Sequence, residues 1–172
     1  MKTSYSDFAV SPAFLSPYLR AQSGGLDHYA ESRPAGGSGR DFFDFLADGH
    51  GGLVCSIGKA SGCGITASFT MASLQAFLRG LTRHHRGSLA EIVSDLNRTI
   101  YEISPDSFYA SLFYAWVDSA RGRLDYVNAG HGPVLLVSQD GSRVRHLENT
   151  GSVLGLSLRG GYRRRTATLV HH

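Results

Sequence analysis

The sequence has few cysteines, no long apolar segment and no large charge imbalance, and each absence excludes a class of protein. Cys55 and Cys63 are its only cysteines, and two thiols so placed make neither a disulfide framework nor a four-ligand zinc site. No apolar run approaches the roughly 20 residues that span a bilayer. The N-terminus lacks the basic start and long apolar core of a signal peptide. We therefore expect a cytoplasmic protein with no membrane partner.

The net charge of +3 is too small to indicate nucleic-acid binding by itself. One basic run stands out, Arg159–Arg165 (RGGYRRR). It is either a patch for a polyanion or a solvent-facing edge strand whose charges oppose aggregation. Because no aromatic stacking motif or nucleic-acid-binding fold accompanies it, we favour the edge strand and expect no nucleic-acid partner.

A chain of 172 residues is long enough to bury a core in one domain. Its first 40 residues are rich in Ser, Pro and Gly and are predicted to be mostly coil, with a strand in the segment LDHYAESRP. We assign residues 1–25 to an N-terminal extension and residues 26–172 to the domain.

The middle of the chain changes from a strand pattern to a helix pattern. Two apolar runs, RDFFDFLA and LVCSIG, flank Asp48–Gly52 (DGHGG), which predicts two strands joined by a hairpin turn. A helix is predicted from Ile65 onward. Its apolar face is expected to comprise Ile65, Phe69, Ala72, Ala76 and Phe77.

A second helix and several strands follow. Ser88 and Glu91 have the spacing of a capping box, and an apolar stripe at helical spacing comes after it: Leu89, Ile92, Val93, Leu96 and Ile100. The remainder alternates as strands, with a hairpin signal at Asp140–Gly141. Strands, two consecutive helices and then a run of antiparallel strands predict an α+β fold.

The glycine-rich segment Gly58–Gly64 (GKASGCG) is the candidate loop for chemistry, because a strand precedes it and a helix follows it. A helix N-terminus offers free N–H groups and a positive dipole to an anion. A Walker loop is excluded because Ile65 follows Gly64 where Lys and then Ser or Thr are needed, and the order Gly58, Gly62, Gly64 does not fit the dinucleotide fingerprint. The cluster Asp48–Gly52 lacks this context, since a strand follows it.

Several segments together resemble the SpoIIE/RsbU-like branch of the PPM-type (2C-class) metal-dependent protein phosphatases: SRPAGGSGRDFFDFL, SIGKASGCGITASFTMASLQAFLR, FYASLFYAWVDSARGRLDYVNAGHGPVLLV and TGSVLGL. The resemblance implies a β-sandwich of antiparallel sheets flanked by helices. It also implies a site that uses Mn²⁺ or Mg²⁺ to remove phosphate from phosphoserine or phosphothreonine. In bacteria such domains usually act on phosphorylated regulatory proteins of the anti-sigma-antagonist type.

The resemblance assigns Asp41 as a metal ligand and catalytic residue, and Asp44 as a nearby acid with a structural role. Lys59 stands where the family has the aspartate that bridges two metals, and Cys63 stands where it has lysine. A protonated ammonium offers only donors and cannot bind a cation. The family's later metal-binding acids would follow His172, so we expect an incomplete metal site and a fold whose C-terminal part is missing. We interpret Asp48 as a turn residue and not as a replacement ligand.

Two interpretations of Lys59 stay open beside simple solvent exposure. With Ser61 and Gly62 it would grip a phosphate or other anion at the helix N-terminus. Alternatively it would pair with Asp41 or Asp44 as a substitute cation for the missing metal. The function is then either that of a serine/threonine phosphatase with an impaired metal site or that of an inactive phosphoprotein-binding module. A third alternative is an interaction domain that forms a homodimer through an open sheet edge. His131, in NAGHGP, is assigned to packing and turn formation.

Overall fold

The computed structural model describes residues 18–23, 26–32, 40–47, 52–62, 64–84, 88–104 and 108–169. In chain order these residues form nine strands and two helices: β1 (Tyr18–Ser23), β2 (Leu26–Glu31), β3 (Asp41–Ala47), β4 (Leu53–Ala60), α1 (Gly64–His84), α2 (Leu89–Ile103), β5 (Ala110–Asp118), β6 (Arg123–Ala129), β7 (Leu135–Val137), β8 (Val144–His146) and β9 (Arg165–Thr168).

The main layer is a five-stranded sheet with the order β3-β4-β5-β6-β9, in which every neighbouring pair is antiparallel. Two further two-stranded sheets are formed by β1 with β2 and by β7 with β8. Together with the two helices, this arrangement confirms the predicted α+β fold with antiparallel sheets. The β1–β2 hairpin extends across the predicted boundary between residues 25 and 26.

The hairpin predicted at Asp140–Gly141 is confirmed. Val137 lies opposite Val144 in the β7–β8 pair, and Gly141 has a positive φ of 72° that a turn glycine adopts without strain. Strands β3 and β4 also pair antiparallel, with Ala47 opposite Leu53. Residues 48–51 of the predicted Asp48–Gly52 turn lie outside the described residues.

Helix α2 forms as its sequence predicts. Ser88 caps it, with the Ser88 backbone N–H donating to Glu91 Oε2 at 2.7 Å and the Glu91 backbone N–H donating to Ser88 Oγ at 3.4 Å. This reciprocal pair satisfies two N–H groups that the first helical turn leaves free. Apolar residues of the predicted stripe are buried: Ile92, Val93, Leu96 and Ile100.

The apolar face predicted for α1 is wrong. Phe69 and Phe77 are exposed, at 61% and 44% of their surface, whereas the buried apolar residues of the described part of the helix are Ala67, Met71, Leu74 and Leu78. Both sets have helical spacing because α1 carries apolar residues around most of its circumference. The face that fits the sheet is the one with slender aliphatic side chains.

The five-stranded sheet carries apolar cores on both faces. One core joins the sheet to α1 and α2, and the other lies under the β7–β8 hairpin and includes Phe113 and Tyr126. Gly58 of β4 lies under the ring of Phe42, where an added Cβ would be 2.2 Å from a ring carbon. Only glycine allows this approach.

Strand β9 lies at the end of the sheet order and contains Arg165 from the basic run. Arg163, Arg164 and Arg165 are all exposed, but Arg165 alone of the run Arg159–Arg165 lies in β9, so the edge-strand interpretation applies to the last residue of the run. Among the described residues, no helix combines the length and apolar character needed to cross a bilayer.

Candidate functional site

Asp41 and Lys59 face each other on adjacent strands. Asp41 is the first residue of β3, and its partner in the antiparallel pair with β4 is Lys59. The sequence had suggested that Lys59 belongs to a loop, which is wrong because β4 continues through Ala60. The strand is longer because Ala60 N–H donates to the Arg40 carbonyl at 2.8 Å. The pairing of two strands therefore positions Lys59.

The Lys59 ammonium lies 3.4 Å from Asp41 Oδ1. This carboxylate oxygen is enclosed and accepts no hydrogen bond among the described residues, so the ion pair with Lys59 is the contact that balances its charge. The side chains of Lys59 and Asp41 are 53% and 41% exposed. Their attraction is therefore partly screened by water, and the pair is held by charge at a distance slightly beyond a strong hydrogen bond.

Ser111 and His131 continue the row of cross-strand neighbours that Asp41 and Lys59 begin. Ser111 of β5 is the cross-strand partner of Lys59, and its Oγ lies 2.9 Å from His131 Nδ1. The His131 backbone N–H donates to Asn128 Oδ1 at 2.8 Å, which fixes the turn after β6. Burial lowers the pKa of His131, while the Asp41 charge raises it and the Lys59 charge lowers it. The lowered pKa favours the neutral imidazole, and the charges of both Asp41 and Lys59 act on it.

Sequence reasoning missed Ser111 entirely. No local motif marks Ser111, because it lies beside Lys59 only through the pairing of β5 with β4. His131 does take part in a turn, as its bond to Asn128 shows. Its ring also contacts Ser111, the cross-strand partner of Lys59.

Asp44 points to the opposite face of the sheet and pairs with a different cation. Arg79 of α1 donates to both Asp44 oxygens, through Nε to Oδ2 and through Nη2 to Oδ1 at 2.6 Å. The Asp44 side chain is 7% exposed, and that of Arg79 is 47% exposed. The hydrogen bond to Asp44 raises the pKa of the Arg79 guanidinium. Asp44 therefore does not pair with Lys59 and instead fastens α1 to β3.

The loop between β4 and α1 makes bonds of its own. The Ser61 backbone N–H donates to the Tyr109 carbonyl at 2.7 Å, and Ser61 Oγ accepts from the Tyr109 N–H at 2.9 Å. Arg40 Nη1 donates to the Gly62 carbonyl at 2.8 Å. The Ser61 N–H is consequently engaged, and anion binding by Lys59, Ser61 and Gly62 stays a prediction. Cys63 and Asp48 lie outside the described residues.

The described residues around Asp41 do not fit a divalent metal. Within the described part of the chain, no three His, Cys, Asp or Glu side chains come together as a metal site. A cation bound to Asp41 Oδ1 at about 2.1 Å would lie within roughly 5.5 Å of the Lys59 ammonium in its present position. Repulsion between charges of +2 and +1 at about 5 Å is about 2 kcal/mol in water and about 7 kcal/mol at an effective dielectric constant near 20. Lys59 thus opposes the metal that Asp41 alone would attract.

Solved structures define the class of fold. The RsbU and RsbW domains of Rv1364c from Mycobacterium tuberculosis are 29% identical to this chain with a TM-score of 0.65, covering 77% of this chain and 36% of that one. The PP2C phosphatase domain of SpoIIE from Bacillus subtilis matches with a TM-score of 0.65 at 15% identity, covering 89% of this chain and 42% of that one. The fold is that of a PP2C-type phosphatase domain.

The sequence profile of the family Stage II sporulation protein E (SpoIIE) matches residues 49–171. The chain therefore belongs to the SpoIIE family. Phosphoserine phosphatase RsbU from Bacillus subtilis is 29% identical over 138 residues, which is 79% of this chain and 40% of RsbU. Phosphoserine phosphatase RsbP from the same organism is 34% identical over 86 residues, 48% of this chain and 20% of RsbP. The predicted family is thus confirmed. The chain spans less than half the length of these two relatives.

Proposed function

We propose that this chain acts in phosphoserine-dependent regulation in the cytoplasm and that the Lys59–Asp41 ion pair takes the place of a bridging metal. Its partner in this proposal is a phosphorylated regulatory protein, and its hydrolytic activity is weak or absent. The relatives named phosphoserine phosphatase support the setting. The observation that carries the proposal is the 3.4 Å contact between Lys59 Nζ and Asp41 Oδ1.

The physical reason is that one carboxylate and one ammonium have no net charge with which to hold a dication. A two-metal phosphatase needs several carboxylates to hold its ions, generate hydroxide and neutralise the phosphoryl oxygens. Asp41 offers one such carboxylate, and its negative charge is already balanced by the ammonium of Lys59. Ser111 and neutral His131 add polar groups to the row without adding negative charge. The described part of the site is therefore suited to staying folded without metal.

Hydrolysis tests the proposal directly. The protein would be assayed with a phosphoserine peptide and with an aryl phosphate, with added Mn²⁺ and with a chelator. We expect turnover to change by less than about twofold between the two conditions, because no bridging ion is bound. Turnover comparable to that of an ordinary phosphatase, abolished by the chelator, would show that the residues do hold metal.

Two substitutions separate charge repulsion from the missing ligand. Lys59→Asp supplies a second carboxylate opposite Asp41, whereas Lys59→Met only removes the ammonium. We expect Mn²⁺ affinity, measured by titration calorimetry, to rise at least about tenfold in Lys59→Asp relative to Lys59→Met, because hard cations prefer oxygen ligands. Equal affinities in the two variants would contradict the assigned geometry of Asp41 and residue 59.

A further inference from the structure

Helix α1 presents an apolar face to solvent in addition to the one it buries. Phe69 and Phe77 are 61% and 44% exposed, and the small residues Ser73, Ala76 and Gly80 on the same side of the helix are exposed as well. These five residues are called the outer face of α1. Two large aromatic side chains exposed together on one side of a helix mark a surface for association.

The outer face lies far from the β9 end of the sheet. Helix α1 contacts β3 and β4 on the sheet face that carries the core shared with α2, whereas the core under the β7–β8 hairpin lies on the other face. Neighbouring strands are about 4.8 Å apart, so β9 is about 19 Å from β3, four strands away. Strands added beside β9, or over the face with the hairpin, would leave the outer face of α1 in solvent.

Gly80 has no role in packing α1 against its own sheet. A Cβ added to it would meet no heavy atom of the described residues within 4 Å. Its backbone is ordinary helix and does not have the positive φ that other glycines of the chain adopt. Glycine is among the least favourable residues in a helix interior. What Gly80 provides is room for a group that approaches from outside.

The spacing of the outer face is self-complementary. Phe69, Ser73, Ala76 and Gly80 follow one another in steps of four, three and four residues, which is the spacing of a coiled-coil seam. Because these steps read the same in both directions, an antiparallel second copy places its Gly80 opposite Phe69 and its Ala76 opposite Ser73. The bulky residue of each copy thus meets the smallest residue of the other.

We propose that two copies of this chain associate through the outer faces of their α1 helices, packed antiparallel about a two-fold axis. Such an interface is isologous, since both copies contribute the same residues. Each Phe69 ring fills the space beside Gly80 of the other copy. Phe77 occupies the flanking position that faces its own counterpart in an antiparallel pair, and the two Phe77 rings cover the small residues at the axis. The antiparallel helix dipoles also attract.

The size of the outer face predicts a weak, reversible dimer. At their measured exposures Phe69 and Phe77 leave roughly 200 Å² of ring surface in water on each copy. The seam from Phe69 to Gly80 is about 16 Å long. Both values fall short of the roughly 800 Å² per partner that a stable interface buries. We therefore expect a dissociation constant of about 100 µM.

Sedimentation equilibrium between about 10 and 500 µM protein tests the association. The average mass should rise toward that of a dimer over this range. Ala76→Arg places a charge at the axis and should weaken the dimer at least about tenfold, whereas Ala120→Arg, at an exposed position in the turn after β5, should leave it within about twofold. An unchanged urea midpoint would confirm that Ala76→Arg is folded. A monomer mass at every concentration, or equal weakening in the two variants, would refute the proposal.

Cysteine crosslinking tests the antiparallel arrangement in a Cys63→Ser background. An equal mixture of Ser73→Cys and Ala76→Cys proteins should form a disulfide-linked heterodimer under mild oxidation, because the two positions face each other. Gly80→Cys alone should crosslink at least about tenfold less, since antiparallel packing separates its two copies by about 16 Å along the helices, well beyond disulfide reach. Efficient crosslinking through Gly80→Cys would mean parallel helices, and the proposed interface would be wrong.

Discussion

Removing Arg79 should weaken the attachment of α1 to the sheet. Arg79 holds both oxygens of Asp44, which is 7% exposed. In Arg79→Met the carboxylate keeps the Phe45 N–H, which donates to Asp44 Oδ1 at 2.9 Å, but it loses its charge partner. Breaking a fully buried ion pair costs about 3–5 kcal/mol. Because the Arg79 side chain is 47% exposed, water compensates part of this, and we expect a loss of about 2 kcal/mol.

Urea denaturation with constant m-value measures this loss as a shift of the midpoint. A loss of about 2 kcal/mol also corresponds to a fall in melting temperature of roughly 4–8 °C for a chain of this size. The control is Arg83→Met, an exposed arginine one turn later on α1, for which we expect less than about 0.5 kcal/mol. Both substitutions shorten a cationic side chain on the same helix.

A double-mutant cycle isolates the pair itself. Asp44→Asn keeps the shape of the side chain and removes its charge, and combined with Arg79→Met it should cost less than the sum of the single losses by about 1 kcal/mol or more. If the two losses add, or if Arg83→Met destabilises as much as Arg79→Met, the attachment does not depend on the Asp44–Arg79 contact.

Three further predictions follow from buried groups. Asn97→Ala should lower the free energy of unfolding in urea by about 2–3 kcal/mol, because the buried Asn97 amide accepts from the Gly155 N–H at 2.9 Å and donates to the Ser157 carbonyl at 2.9 Å. Arg98→Ala is the exposed control, and an equal loss in the two variants would contradict this role of Asn97. The lowered pKa of His131 means that the unfolded chain binds the proton more readily, so the free energy of unfolding should fall as the pH drops from 7.5 to 5. His131→Asn should make the free energy of unfolding depend less on pH over this range. An unchanged pH dependence in the variant would exclude His131 as its source. Burial raises the pKa of Cys55 to about 11, so in a Cys63→Ser variant its reaction with an aromatic disulfide at pH 8 should be about a hundredfold slower than that of a free thiol; a normal rate would refute the burial.

Local signals in the sequence were sufficient for the elements that depend on neighbouring residues. The capping box of Ser88 and Glu91 and the turn at Asp140–Gly141 each involve residues within a few positions of one another, so the chain itself encodes them. The stripe of α2 was predicted because its other face is polar. For α1 the same method chose the bulky aromatics and missed Met71 and Leu74, since apolar residues on several faces leave the period ambiguous.

In the candidate site, too, some contacts were predicted from the sequence and others were not. The pairing of Asp41 with Lys59 was one of the interpretations left open by the family resemblance, and the antiparallel pairing of β3 with β4 places the two residues opposite each other. The ion-pair partner of Asp44 could not be predicted from local sequence, because Arg79 lies 35 residues further along the chain. The contact of Ser111 with His131 could not be predicted either, because it spans 20 residues and depends on where β5 begins and β6 ends. Contacts of this kind depend on tertiary packing, which local spacing does not encode.

The arginines at the β9 edge have a consequence for how the protein behaves in concentrated solution. When two copies approach edge to edge, the exposed Arg163 and Arg164 of each bring like charges together before backbone groups can meet, whereas the charge of Arg165 is paired with Glu148 at 2.7 Å. That repulsion acts over about 10 Å at 0.1 M salt and over only about 3 Å at 1 M. Colloidal stability of this domain is therefore tied to ionic strength, and dilute buffers strengthen the repulsion between copies.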